Sequence, residues 1–198
     1  MDEKFYRKYK RVLDTLSNVA LCANNELILV GGTALAIFYL KHRISVDIDL
    51  VPIKQKPEKM KEALKGCLSK KGYTTLRTRY GNQFVIQFED TAIKIEIFES
   101  PIKSVQTFEF GNVKLMVASL EDLLEMKIET YERRKESRDL YDIIFILRAL
   151  GKDFGLVKEI ITKLGLPKNT EEIRDLIEKE QNYQFFKEVI ENVTKTSN

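Results

Sequence analysis

Apolar positions recur every three or four residues over residues 3–23, where Phe5, Tyr9, Val12, Leu16, Val19 and Ala20 line one side of a helix. The period then changes. Leu27-Ile28-Leu29-Val30 is a short run with the character of a buried strand, closed by Gly31-Gly32. Thr33 to Lys41 reads as a helix and Ser45 to Val51 as a second strand. Residues 56–71 form a lysine-rich helix that Gly72 ends. Alternating segments follow at 73–80, 83–89, 92–99, 107–110 and 113–117. Gly81-Asn82 and Gly111-Asn112 serve as two-residue hairpin signals. After Ser119, with acids in the first turn behind it, the pattern turns helical and stays so. Helices are expected at about 119–134, 138–150, 153–165 and 170–193. This order predicts an α+β or α/β core carrying a helical C-terminal half. The expected parts are a core over 1–118 and a helical lobe over 119–198.

Composition changes the picture in only a few places. At 198 residues with 43% hydrophobic and 32% charged side chains, the chain is globular. The net charge of +3 is mild, but its distribution is uneven. Residues 1–118 hold nineteen basic against thirteen acidic side chains, and the remainder fourteen against seventeen. The basic excess sits with the glycine- and strand-rich part, which suits an anionic ligand. The charged start and the interrupted apolar run Leu27–Leu40 argue against a secretory leader and a membrane span, so a cytoplasmic protein is expected. Cys22 and Cys67 fall among apolar helical positions and read as buried thiols. His42, the one histidine, reads as a surface or capping residue. Twenty-three lysines and twenty glutamates against ten arginines and ten aspartates hint at a heat-adapted source.

The chemistry lies in the order strand, Gly31-Gly32-Thr33, helix, strand, Asp47-Ile48-Asp49. Strand alternation sends Asp47 and Asp49 to one face, about 7 Å apart. Such neighbours repel unless a cation joins them, and Mg²⁺ takes one or two carboxylates plus substrate phosphates. Gly31-Gly32 lets backbone N–H groups approach a phosphate at a helix start, and Thr33 adds a hydroxyl. In Ala92–Glu99, Lys94, Glu96 and Phe98 alternate with isoleucines. Glu96 is therefore the candidate third carboxylate, with Glu99 behind it. Lys127 has no acid three or four residues away on its helix, so it either reaches water or meets an anion from elsewhere. Arg77 and Arg79, and Arg133-Arg134-Lys135, read as solvated charge or as contacts to nucleic-acid phosphates.

Val30–Leu35, Arg43–Leu50, Ser119–Lys127 and Arg138–Ile143 together resemble the AbiEii/AbiGii toxin-type nucleotidyltransferases of the DNA-polymerase-β-like superfamily. The resemblance spans roughly residues 10–150, and 151–198 carries no motif. It implies Mg²⁺-dependent transfer of a nucleoside monophosphate from a nucleoside triphosphate to a hydroxyl, with an RNA such as tRNA as acceptor. A cognate antitoxin partner is also implied. Gly31, Gly32 and Thr33 would hold the triphosphate, with Arg43, Ser45 and Lys127 around it. Asp47, Asp49 and Glu96 would bind metal, and Asp139 would complete the catalytic set, with Asp142 one turn on. The sequence departs from the family's usual Gly-Ser in having Gly-Thr, and its third acid is Glu rather than Asp. The competing expectation is a non-catalytic nucleotide-binding module of the same fold, acting through a protein partner.

Overall fold

A computed structural model describes residues 3–196. The chain divides into two compact units. One comprises Glu3–Ala34 with Ser45–Ser119, and the other Leu35–Ile44 with the residues from Leu120 onward. The helical unit thus takes in an insertion from the first part of the chain.

The first unit is built on a seven-stranded mixed sheet: β1 (Leu27–Val30), β2 (Asp47–Pro52), β3 (Thr74–Arg77), β4 (Gln83–Gln87), β5 (Ala92–Ile97), β6 (Val105–Phe110) and β7 (Val113–Ala118). Their spatial order is β3-β4-β5-β2-β1-β7-β6. β2 runs antiparallel to β1 and parallel to β5, and β1 runs parallel to β7. Alternation decides what each face carries. Ile48 and Leu50 of β2 and Ile93, Ile95 and Ile97 of β5 are buried on one face. Helices α1 (Glu3–Ala23) and α3 (Pro57–Lys70) pack there, presenting Val12, Leu16 and Val19, and Met60, Leu64 and Leu68. Full burial of each such side chain is worth about 1.5–3 kcal/mol. The opposite face keeps the polar residues of the same strands.

Helix α2 (Gly31–Ala34) leaves β1 and continues as a π-helical turn, Leu35–Tyr39. In the second unit, α4 (Leu120–Arg134), α5 (Ser137–Ala149), α6 (Phe154–Leu164) and α7 (Glu180–Thr196) enclose a core of Leu140, Ile143, Ile144, Ile161, Phe186 and Val189.

The structure departs from the sequence reading in four places. The expected helix over 170–193 is a 3₁₀ turn, Glu171–Leu176, followed by α7. Ile177 between them is extended and buried, so core packing breaks the helix. β3 ends at Arg77, and residues 78–82 form a wider loop where Gly81-Asn82 suggested a tight hairpin. Gly111-Asn112 does make the tight turn, pairing Phe110 with Val113. Cys22 and Cys67 are not buried thiols: they form a disulfide between α1 and α3, with Cα atoms 5.7 Å apart. Finally, His42 is buried, not superficial. Among the described residues no helix is long and apolar enough to cross a membrane.

Candidate active site

The polar face of the sheet assembles the three carboxylates. Because β2 and β5 are parallel neighbours, register places Asp47 opposite Lys94 and Asp49 opposite Glu96. All four are half-buried and share one face. The side chains are held rather than loose. Asn82 donates from Nδ2 to Glu96 Oε1 at 2.9 Å, and Lys94 Nζ lies 3.3 Å from Glu96 Oε2. The same ammonium is 3.6 Å from Asp47 Oδ2, while Lys8 Nζ, from α1, is 3.7 Å from Asp47 Oδ1. Burial works against the charge on Lys94. The carboxylates of Asp47, Asp49 and Glu96 outweigh it and raise the lysine above its ordinary range.

Asp49 also meets the glycine loop. It pairs with Val30, the residue before Gly31. A Cβ on Gly31 would fall on the Asp49 carboxylate, 3.2 Å from Asp49 Cβ, and the Gly31 φ of +72° belongs to the left-handed region. Both facts require glycine. Gly31→Ala is therefore expected to cost about 1–3 kcal/mol in backbone strain and to displace Asp49. Urea denaturation measures the first and divalent-ion titration the second; wild-type values in both would refute this contact. Gly32 is buried beside it at the helix start. The Thr33 hydroxyl is buried and turned inward, meeting the Asp47 main-chain carbonyl and the Ser45 hydroxyl, the latter at 3.1 Å. Thr33 and Ser45 thus tie the helix start to the strand bearing the aspartates.

Among the described residues no three His, Cys, Asp or Glu side chains stand as a ready cage for an ion. The donor set still has the right chemistry for a hard divalent ion. Asp47 and Asp49 supply the one or two carboxylates Mg²⁺ uses beside phosphate oxygens, and the face already attracts a cation in Lys94.

Arg43, Lys127 and Asp139 come together inside the helical unit. Arg43 forks Asp142, with Nε to Oδ1 and Nη2 to Oδ2 both at 2.7 Å. Arg134 forks Asp139 at 2.6 and 2.9 Å. Lys127 Nζ bridges the two acids, 2.9 Å from Asp139 Oδ1 and 2.7 Å from Asp142 Oδ2. Of the two expectations for Lys127, water or an anion from elsewhere, the second holds, and both acids come from α5. Asp139 and Asp142 are three residues apart on that helix and project together. Burial raises the carboxyl of Asp142, but Arg43 and Lys127 drive it well below the usual range; Asp139, also raised by burial, is lowered by Lys127 and Arg134. His42 places Nε2 2.7 Å from Asp142 Oδ1 and stacks on Tyr141, whose hydroxyl donates to the His42 carbonyl. An ionised carboxylate only accepts, so Nε2 carries the proton. Nδ1 is buried without a hydrogen-bond partner, and protonating it would bury a second donor. Burial accordingly lowers the His42 pKa, as do Arg43 and Lys127, against the pull of Asp142.

This gives a pH dependence. Below about pH 6.5 the unfolded chain takes up a proton that folded His42 refuses, so stability falls as pH drops below that point. The contributions of Asp139 and Asp142, whose folded values are depressed, persist above the ordinary carboxylate range and are lost as pH falls through it. Melting temperatures should decline between pH 6.5 and 5 in wild type and decline less in His42→Gln. Parallel profiles would show that His42 does not titrate in this way.

The glycine loop on a strand–helix turn, the Asp-x-Asp strand and the third acid on its parallel neighbour define a nucleotidyltransferase-type fold. Solved structures agree. An antigenic nucleotidyltransferase-like protein from Paracoccidioides brasiliensis superposes with a TM-score of 0.54 at 17% identity, covering 80% of this chain and 92% of that one. The antibiotic-resistance factor ANT(2'')-Ia gives 0.51 at 14% identity over 84% and 92%. The family model "Nucleotidyl transferase AbiEii toxin, Type IV TA system" matches residues 11–193, and the chain belongs to that family. An uncharacterized protein of Aquifex aeolicus is 26% identical over 161 residues, 81% of this chain and 75% of that protein.

Proposed function

We propose that this nucleotidyltransferase moves a nucleoside monophosphate from a nucleoside triphosphate to a hydroxyl of an RNA such as tRNA, with Mg²⁺, as the cytoplasmic toxin of a toxin–antitoxin or phage-defence pair. The observation that carries the reading is Asp47, Asp49 and Glu96 on one sheet face, with Asp49 against the Gly31 turn. Retention of all three acids supports transfer over a purely binding module. The toxin role and the antitoxin partner rest on the family to which the chain belongs.

Asp47 and Asp49 would hold Mg²⁺, with Glu96 as the further ligand. The ion would neutralise charge on the phosphates and lower the pKa of a coordinated hydroxyl. In the step itself the acceptor oxygen bonds to the α-phosphorus and the bond from that phosphorus to the pyrophosphate oxygen breaks. The hydroxyl proton passes to a carboxylate of the face, where Glu96 is oriented by Asn82. Gly31 and Gly32 admit the triphosphate to the helix start, while Thr33 and Ser45 fix that start. Arg43, Lys127 and Asp139 form, with Asp142 and Arg134, an ion-pair network within the helical unit.

Incubation with each α-labelled nucleoside triphosphate, Mg²⁺ and total tRNA, followed by a denaturing gel, tests the proposal. One triphosphate should label an RNA band; no label with any of the four would remove RNA as acceptor.

The exposed loop after β3 supports a polyanionic acceptor. Arg77 and Arg79 are exposed, the Arg79 guanidinium lies over the half-exposed Tyr80 ring at 4.8 Å, and Asn82 in the same loop reaches Glu96. Stacking with cation–π support is how single strands are held without sequence preference. Charge reversal of Arg77 and Arg79 together should weaken RNA binding about tenfold or more and lower the salt slope by about two. Filter binding across salt concentrations reads both, and an unchanged slope would place the RNA elsewhere.

A further inference from the structure

Lys94 is the feature of the carboxylate face that the catalytic reading does not use. It is opposite Asp47 in register and two residues from Glu96 on its own strand. Alternation therefore forces its side chain onto the acidic face. Its ammonium sits between the two acids, 3.6 Å from Asp47 Oδ2 and 3.3 Å from Glu96 Oε2. A lysine in the middle of a surface meant to bind a cation is a poor choice unless it does something there. Three carboxylates on neighbouring strands repel one another, and the cost grows as they are half-buried. A tethered positive charge relieves that cost without closing the face permanently. Lysine suits this better than arginine: its single compact ammonium sits on a flexible stem and makes no bidentate fork with either acid.

We propose that Lys94 is a built-in counter-ion, whose ammonium holds Asp47 and Glu96 together in the metal-free protein and is displaced when a divalent ion binds. The inference rests on the metal role assigned above to Asp47 and Asp49, and it adds a residue that sets how tightly the ion is held. Displacement has a consequence for specificity. An ion that arrives with a triphosphate brings an anion toward which the released ammonium can turn. The free ion brings none. Lys94 thus disfavours metal without nucleotide and favours the two together. Lys8 touches the other oxygen of Asp47 from α1 and stays in place in every variant below, so its effect cancels.

Calorimetric titration with Mn²⁺ in the absence of nucleotide tests this without relying on turnover. Lys94→Gln should bind Mn²⁺ about tenfold more tightly than wild type, since the competing charge is gone. The same variant should melt at a lower temperature in chelator, because Asp47 and Glu96 lose the ammonium they share, and gain more from added Mn²⁺. Lys94→Arg, which keeps the charge and grips the acids through a fork, should bind Mn²⁺ no more tightly than wild type, and this holds even if Lys94→Gln fails to fold. Equal or weaker binding in Lys94→Gln, or tighter binding in Lys94→Arg, would overturn the inference. Asp49→Asn serves as the control and should lose the ion. If it binds Mn²⁺ like wild type, the metal role of the aspartates fails first, and the assignment of Lys94 fails with it.

Discussion

Asp142→Ala should cost about 3–5 kcal/mol of folding stability, the scale on which removal of one partner from a buried ion pair registers. Asp142 is fully buried and accepts from Arg43 through both oxygens, from His42 and from Lys127. Its removal leaves Arg43 buried without its carboxylate and Lys127 with Asp139 alone. Arg134, partly exposed, shares Asp139 and limits what that acid can offer. Lys127→Ala should cost less, because each acid then keeps its arginine fork. It is nonetheless not a surface substitution, since the side chain is buried and its loss removes the one cation that the two acids share. Urea denaturation separates the two variants, and a loss below about 1 kcal/mol in Asp142→Ala would show that the network is not structural. With most domains stable by only about 5–15 kcal/mol, such a loss is a large fraction of the total.

This network shows where sequence reasoning stopped. Alternation was enough to put Asp47 and Asp49 on one face and to single out Glu96 among isoleucines. That β5 lies beside β2 depends on strand order, and nothing local in Ala92–Ile97 reveals which strand it will join. Lys94 carried a readable signal, its place two residues before Glu96, and its meaning emerged only once Asp47 stood opposite it. The residues near Lys127 left it two choices, to reach water or to meet an anion from elsewhere, and only the fold decided between them. His42 and Arg43, in contrast, meet an aspartate about a hundred residues away, and no periodicity encodes so distant a partner. The same holds for Cys22 and Cys67, 45 residues apart on two helices whose packing brings them together. The break before α7 was hidden because Ile173 and Ile177 fit a helical period that packing overrides.

The second large effect is catalytic. Asp49→Asn should lower nucleotidyl transfer by about a hundred- to a thousandfold, comparable to loss of one oriented charge stabiliser in a transition state. The fold should persist. Asn is nearly isosteric and fits beside Gly31, and removing one of three neighbouring carboxylates relieves repulsion in the metal-free protein. A melting temperature at or above that of wild type, with turnover lost, is the expected pair of results. Loss of both together would mean that Asp49 holds the turn at Gly31 rather than the reacting groups.

Whether the chain transfers a nucleotidyl group, rather than a phosphoryl group, is settled by which phosphate stays on the acceptor. The nucleoside triphosphate that labels RNA can be supplied with the label at the α-position or at the γ-position, to wild type and to Asp49→Asn. Attack at the α-phosphorus predicts that wild type retains the α-label on RNA and releases the γ-label as pyrophosphate, and that Asp49→Asn does neither. Retention of the γ-label on RNA, or undiminished α-label transfer by Asp49→Asn, would contradict a nucleotidyl transfer centred on the Asp47–Asp49 face.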